Sequence, residues 1–215
     1  MAKLNLEIST SLDGFVAGPN PSLENPLGEG GELLHEWVTR LASWRETHGM
    51  EGGESGTDDD LLRDSVAQSG AVIMGRRMFS GGEGPWEDDP KADGWWGEEP
   101  PFHAPVFILT HHERETVHKE GGTTFTFVTD GIESALDQAR AGAGEKDVSI
   151  GGGANVAQQY LKAGLVDEIL LHVAPVILGG GTRLFEGLGP DDAKLELAEV
   201  IDSPNVTHIR YGVRR

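Results

Sequence analysis

A run of three glycines between an apolar strand and a helix is the feature of this sequence with the clearest chemistry. Residues 148–150 predict a strand, which is followed by Gly151, Gly152 and Gly153, and then by Ala154 and Asn155 at the expected start of a helix. Glycine lets backbone N–H groups approach an anion closely, and the first helical turn adds unpaired donors and a partial positive charge. The junction predicts a phosphate-binding loop. It lacks both the G-x-G-x-x-G spacing and the P-loop lysine, so a simple chain reversal is the alternative.

A second junction of the same kind strengthens this interpretation. The apolar run 71–74 is followed by Gly75 and by the cations Arg76 and Arg77. One anion could be held by both loops. Acidic residues outnumber Lys and Arg by 36 to 17, and the net charge is −19, so clustered cations are informative. A second group of cations is formed by His111, His112 and Arg114, and solvated loops are the alternative for both groups.

Three further side chains are candidates for contact with a substrate. Asp13, beside Gly14 at the end of the first strand, is a candidate for ligand contact or proton relay, and otherwise shapes a turn. Trp37 could stack on a planar substrate, or belong to the core. Arg183 follows a second glycine triplet and could bind an anionic group, or be a surface residue of a tight turn. Weaker proton-donor candidates are His35, Glu36 and Asp60.

Several classes of function are disfavoured by composition and motif searches. The absence of cysteine excludes thiolate catalysis and cysteine-ligated zinc, and it favours a cytoplasmic location. No H-E-x-x-H and no G-x-S-x-G occurs, so we expect neither a metal site nor acyl transfer. The negative charge disfavours binding to nucleic acid and anionic membranes. No apolar stretch approaches the roughly 20 residues of a membrane span.

The elements that would position these residues alternate between strands and helices. The patterns predict strands near 4–8, 71–74, 106–109, 123–128, 148–150 and 169–178, and helices over 32–46, 57–68, 132–139 and 154–163. Segments 195–201 and 206–213 predict a C-terminal antiparallel hairpin. Segment 81–105 carries four aromatic residues, which favour a lid or interface over disorder. We expect one α/β domain over residues 1–215, with a largely parallel sheet and helices on both faces.

Six short motifs in this order resemble the dihydrofolate reductase-like superfamily, and more narrowly the reductase domain of bifunctional riboflavin-biosynthesis enzymes and its stand-alone bacterial relatives. The motifs are SLDGFVA (11–17), MGRRMF (74–79), PVFILT (105–110), GGG (151–153), GLVDE (164–168) and the segment 175–185. The resemblance implies a three-layer fold with a central mixed, mostly parallel sheet. It also implies a small-molecule substrate, NADPH as cofactor and a homodimer.

The resemblance also implies residue roles. The triplet loop and the following helix would take the pyrophosphate from one side, and the backbone around Arg77 and Met78 from the other. Arg76, Thr110 and His111 would recognise the 2′-phosphate, and Ala17 would lie near the nicotinamide. The full expected coenzyme site is Ala17, Gly75, Arg76, Arg77, Met78, Leu109, Thr110, His111, Gly151, Gly152, Gly153, Ala154 and Asn155.

Some residues depart from the pattern of this superfamily. Met78 stands where threonine is common, so one hydroxyl donor is missing. No zinc deaminase signature occurs, and no counterpart to the buried carboxylate of true dihydrofolate reductases was found. The expected function is NADPH-dependent reduction of a pyrimidine- or pterin-type molecule, closest to 5-amino-6-(5-phosphoribosylamino)uracil reductase. The alternatives are a non-catalytic nucleotide-binding protein of the same fold and a dihydrofolate reductase proper.

Overall fold

Residues 2–214 are described by a computed structural model of the chain. The strands are β1 (Leu4–Ser11), β2 (Phe15–Ala17), β3 (Ser69–Gly75), β4 (Pro105–Leu109), β5 (Val117–His118), β6 (Thr124–Val128), β7 (Asp147–Gly152), β8 (Glu168–Ala174), β9 (Thr182–Arg183), β10 (Lys194–Asp202) and β11 (Thr207–Arg214). The α-helices are α1 (Glu36–Thr39), α2 (Ala42–Thr47), α3 (Thr57–Gln68), α4 (Arg76–Ser80), α5 (Ile132–Ala143) and α6 (Ala154–Lys162). Short 3-10 helices occupy Gly31–His35, Trp86–Asp88 and Glu120–Gly122.

The chain forms two compact units, each assembled from two segments. The first unit contains Met1–Leu6 and Ser69–Val166, and the second contains Glu7–Gln68 and Asp167–Arg215. Strand β1 contributes its first residues to one unit and its last residues to the other. A single domain over residues 1–215 stays a prediction.

The first unit is built on a parallel sheet. Its strand order is β1-β7-β3-β4-β6-β5, and all neighbours are parallel except β5 and β6. Apolar side chains of β3 and β4 are almost entirely buried, as parallel strands covered on both faces require. Helix α5 packs on β3, β4 and β7 through its buried alanines and Leu136. This arrangement brings the carboxyl ends of successive strands to one edge.

The aromatic segment after α4 packs onto this unit. Trp86, Trp96 and Phe102 lie against the buried cluster of β3, β4 and β6 that includes Phe79 and Phe125. Phe79 makes edge contacts with Trp86 and with Phe125, at centroid distances of 6.1 and 5.0 Å. The aromatic side chains therefore extend the core beyond the sheet, which accounts for their density in a segment with little regular structure.

The second unit contains the strand order β10-β11-β8-β1, in which β11 is antiparallel to both β10 and β8, and a separate antiparallel pair of β2 and β9. The predicted C-terminal hairpin is confirmed. The expected strand over 169–178 ends at Ala174, since Pro175 has no N–H to donate to a neighbouring strand.

The prediction of one continuous helix over 32–46 is wrong. This segment is divided into a 3-10 turn and the short helices α1 and α2, with Leu41 in extended conformation between them. The backbone near Leu41 bonds to a later segment instead: Glu54 N–H donates to Arg40 C=O over 2.8 Å, and Ala42 N–H donates to Glu54 C=O over 2.9 Å. These bonds replace the helical bonds that the apolar spacing had suggested.

Candidate functional site

Three loops meet at the carboxyl ends of adjacent parallel strands in the first unit. In the sheet register Met74 pairs with Gly152, and Gly75 pairs with Leu109. The loops after β7, β3 and β4 therefore begin at the same level of the sheet. Ligands of open α/β sheets bind at such an edge. The sequence-based expectation that the two glycine junctions lie side by side agrees with this geometry.

The glycine triplet gives α6 a bare N-terminus. Gly153 is the N-cap residue, with φ −90° and ψ −170°, and no side chain caps the helix. A Cβ atom placed on Gly153 would meet nothing within 4 Å. Gly152 has φ +117°, a region that side chains rarely adopt, and the Gly152–Gly153 peptide is cis. Open space in front of uncapped N–H groups suits an anion.

The end of β3 and helix α4, which follows it directly, pack against the glycine triplet and α6. A Cβ on Gly152 would lie 3.5 Å from Met78 Sδ, so the thioether covers the backbone of the triplet. A Cβ on Gly75 would lie 3.0 Å from Val156 Cγ2, so only a bare backbone fits against α6 without displacement. The close contact at Gly75 and the positive φ of Gly152 account for glycine at these positions, and Met78 supplies packing here.

The loop after β4 presents one buried and one exposed polar residue. Thr110 is nearly buried, and its Oγ1 accepts a hydrogen bond from the N–H of His112 over 3.2 Å. Its N–H donates to Val128 C=O over 3.1 Å. His111 is exposed. Thr110 thus keeps its hydroxyl proton for another partner, while its backbone is fixed by β6.

The two adjacent arginines differ in environment. Arg77 is 74 % exposed and pairs with Glu83. Arg76 is only 7 % exposed: its Nε donates to Ser80 Oγ over 3.0 Å, its Nη2 pairs with Asp89, and its Cζ lies 3.1 Å from the centroid of the Trp86 ring. Burial lowers the pKa of Arg76, against the opposing effect of Asp89. The expected contact of Arg76 with a 2′-phosphate stays a prediction, and it must compete with Asp89.

Asp13, in the second unit, holds a loop. Its Oδ1 accepts from Leu178 N–H over 3.1 Å and its Oδ2 from Gly179 N–H over 2.7 Å. The hydrogen bond with Ser11, followed by those from the Gly179 and Leu178 backbone, lowers the pKa of Asp13 to about 2. A carboxylate with this pKa is ionised at neutral pH. This favours the turn-shaping role over proton donation, and a catalytic role of Asp13 stays a prediction.

Trp37 is buried, which favours its alternative role as a core residue, and its contact with a substrate stays a prediction. It is 5 % exposed, its Nε1 donates to Ser9 Oγ over 3.0 Å, and its ring lies 4.7 Å from the ring of His172. An amphipathic helical pattern cannot distinguish the two roles, since both need an inward-facing indole. Arg183 is exposed on β9, where its Nη1 donates to Asp13 C=O over 3.2 Å and its Cζ lies 4.3 Å from the Phe15 ring. Ala17 lies on β2.

Two buried histidines and two half-buried carboxylates form a row in the second unit that the sequence analysis missed. We call Glu7, His172, His208 and Asp58 the histidine chain. His172 Nδ1 lies 2.7 Å from His208 Nδ1, His172 Nε2 lies 3.1 Å from Glu7 Oε1, and His208 Nε2 lies 3.1 Å from Asp58 Oδ1. A histidine inside the apolar strand β8 was the available signal, because such a residue needs a buried polar partner.

Residues 2–214 lack two features that would point to other functions. No group of three or more His, Asp or Glu side chains is arranged to hold a metal ion in this part of the chain. None of the helices described there has the length and apolar character that crossing a membrane requires.

Two known proteins are similar to this chain over most of their length. The chain is 25 % identical over 194 residues to the uncharacterized protein YyaP of Bacillus subtilis, covering 85 % of this chain and 80 % of that protein. The structure is similar to a putative riboflavin biosynthesis protein from Shewanella sp. PV-4, with a TM-score of 0.64, 21 % identity and full coverage of both chains.

A second solved structure shares the fold over part of its length. It is a diaminohydroxyphosphoribosylaminopyrimidine deaminase/5-amino-6-(5-phosphoribosylamino)uracil reductase from Thermotoga maritima, with a TM-score of 0.58 and 13 % identity. The match covers 99 % of this chain and 57 % of that one. These similarities confirm the expected dihydrofolate reductase-like α/β fold with its mostly parallel sheet.

A family model, the RibD C-terminal domain, matches residues 2–209, nearly the whole chain. This match confirms the resemblance inferred from the six sequence motifs. The chain belongs to the RibD C-terminal domain family.

Proposed function

We propose that this protein is an NADPH-dependent reductase that transfers a hydride to a pyrimidine- or pterin-type small molecule, closest to 5-amino-6-(5-phosphoribosylamino)uracil reductase of riboflavin biosynthesis. The main support is that the ends of β7, β3 and β4 lie side by side next to the uncapped N-terminus of α6. Family membership and the similarity to a protein described as a uracil reductase support the same chemistry.

The residues of the first unit fit the phosphate part of such a coenzyme. The first-turn N–H groups of Ala154 and Asn155, behind the bare Gly153, would hold the pyrophosphate. Thr110 and His111 would contact the adenosine phosphate together with Arg76. The bound coenzyme would supply the hydride, and the protein would bind and orient it. In the second unit, Arg183 stays the proposed contact for an anionic group of the substrate.

A non-catalytic nucleotide-binding protein is the second candidate. It is favoured by the low pKa of Asp13 and by the burial of Trp37, because these were the main sequence candidates for proton transfer and substrate stacking. In that case the coenzyme loops would serve binding without turnover.

Two measurements test these candidates in sequence. Titration calorimetry with NADPH should give saturable heat, and its absence would rule out both candidates. Steady-state loss of NADPH absorbance should then occur with a pyrimidine or pterin substrate. Binding without any turnover would support the non-catalytic candidate, whereas turnover of dihydrofolate inhibited by methotrexate would indicate a folate reductase.

We also propose a cytoplasmic homodimer that forms through β10. This edge strand is exposed along most of its length, and a bulge between Leu197 and Glu199 shifts its register against β11. Leu195, Leu197 and Val200 therefore pair with alternate residues of β11 and share one face. An exposed edge with apolar side chains is a site for pairing with another copy.

Leu197→Lys should convert the dimer to a monomer, because it places a charge in the apolar face of β10. The measurement is molar mass by light scattering after size-exclusion chromatography. Val66→Lys is the matched control, since Val66 on α3 is 60 % exposed and Leu197 is 59 % exposed. A monomeric wild type, or a dimer unaffected by Leu197→Lys, would contradict the proposal.

A further inference from the structure

The guanidinium of Arg76 is already paired with an anion from its own chain. Asp89 Oδ2 pairs with Arg76 Nη2 and also accepts a hydrogen bond from Ser80 Oγ over 2.7 Å. The Asp89 side chain is 2 % exposed. Burial tends to raise the pKa of Asp89, but hydrogen bonds from Ser80, Lys91 N–H and Arg76 hold it below its ordinary value. The carboxylate of Asp89 is therefore already paired with Arg76, the buried cation at the start of α4.

A flat ring covers the same guanidinium. Trp86 lies over Arg76, with 3.1 Å between Cζ and the ring centroid, and its Nε1 donates to His112 C=O over 3.0 Å. The neighbouring cation is also engaged by this segment, since Arg114 pairs with Asp93 and its Nη1 donates to Ala92 C=O. Residues 86–93 thus hold both arginines near the ends of β3 and β4.

One N–H group of the Arg76 guanidinium has no hydrogen-bond acceptor in the described part of the chain. Nη1 is buried and has no hydrogen-bond partner among residues 2–214, although the side chain is more than nine-tenths buried. An unpaired buried N–H is costly, and a carboxylate has only two oxygens to offer. A phosphate monoester has three terminal oxygens and a higher charge, so it could satisfy Arg76 more fully.

We propose that Asp89 and Trp86 determine coenzyme choice by occupying the Arg76 site that an adenosine 2′-phosphate would use. This inference rests on the proposed function. Asp89 lies beside the Arg76 guanidinium as a phosphate would, and the Trp86 indole lies over it as a purine would. NADPH must displace Asp89 to reach Arg76, whereas NADH, which lacks the extra phosphate, gains nothing by doing so. We therefore expect the wild-type protein to prefer NADPH over NADH by a smaller factor than a variant in which Asp89 carries no charge.

Asp89→Asn tests this directly, with calorimetric dissociation constants for NADPH and NADH as the readout. Removal of the competing charge should tighten NADPH binding by about tenfold and leave NADH within about twofold. Asp88→Asn is the matched control, because Asp88 is an exposed carboxylate one residue away. It should change neither constant.

A second variant tests the inference independently if Asp89→Asn does not fold. Ser80→Ala removes the hydrogen bond to Asp89 and also the acceptor of Arg76 Nε, while the ion pair between Arg76 and Asp89 stays. It should tighten NADPH binding by about threefold, because Asp89 is held less firmly and Nε becomes available to a phosphate. An unchanged ratio of NADPH to NADH affinity in the folded variants would overturn this inference alone. Absence of heat with either coenzyme in the wild type and in both variants would overturn the proposed function, and with it this inference.

Discussion

Gly153→Asp should abolish coenzyme binding while leaving the protein as stable as the wild type, or slightly more stable. Gly153 has the extended backbone of an N-cap residue, and aspartate is among the preferred residues at that position. The new carboxylate would gain a few tenths of a kcal/mol by capping α6. It would also stand where the pyrophosphate is proposed to bind. Two like charges about 4 Å apart repel by roughly 4 kcal/mol at an effective dielectric constant of 20, so affinity should fall at least about a hundredfold.

Calorimetry with NADPH and thermal unfolding, measured on the same preparations, check this prediction. Gly153→Asn is the matched control: it has nearly the same shape and also caps a helix, but it adds no charge. The asparagine variant should bind NADPH more tightly than the aspartate variant. If Gly153→Asp binds NADPH as the wild type does, the pyrophosphate does not lie at the N-terminus of α6.

His208→Leu should destabilise the fold by about 2–4 kcal/mol, because it leaves His172 and Asp58 without their shared partner inside the second unit. For a chain of this size we expect the melting temperature to fall by roughly 5–15 °C. His118→Leu is the control, since His118 is exposed on β5. It should change the melting temperature by no more than about 2 °C.

The histidine chain also predicts that the protein loses stability in mild acid. Burial lowers the pKa of His208 despite its bond to Asp58, so the folded protein disfavours the protonated form of this ring.

The sign of the pH effect follows from these pKa values. Burial lowers the pKa of His35 and of His208, so the unfolded chain binds protons more readily than the folded one. Stability should be fully present above about pH 6.5 and should be lost as the pH falls below it. Melting temperatures at pH 7.5 and 5.5 measure the loss, and His208→Leu should show a smaller one. An equal loss in the variant would contradict the assignment to His208.

The strand-end loops could be predicted from sequence because their signals are local. Glycine triplets between an apolar run and a helix need no distant partner to be recognised, and parallel strands bring their ends to a common edge. The environment of Arg76 could not be predicted, since Asp89 is 13 residues away within an irregular segment. The histidine chain was hidden for the same reason: Glu7 and His172 are 165 residues apart. The role of Trp37 could not be decided from sequence, because apolar spacing identifies an inward face without showing what lies there.

The pairing of β1 with β7 has a consequence for biosynthesis. Leu4 pairs with Val148, and Lys3 N–H donates to Asp147 Oδ1 over 2.8 Å across 144 residues of chain. This segment must therefore wait for a strand that is translated 144 residues later before its hydrogen bonds can close. Such long-range pairing slows folding, since the loop must close before any contact rewards it. Nascent chains that stop before residue 148 would leave an unpaired strand edge open to chaperones or to aggregation.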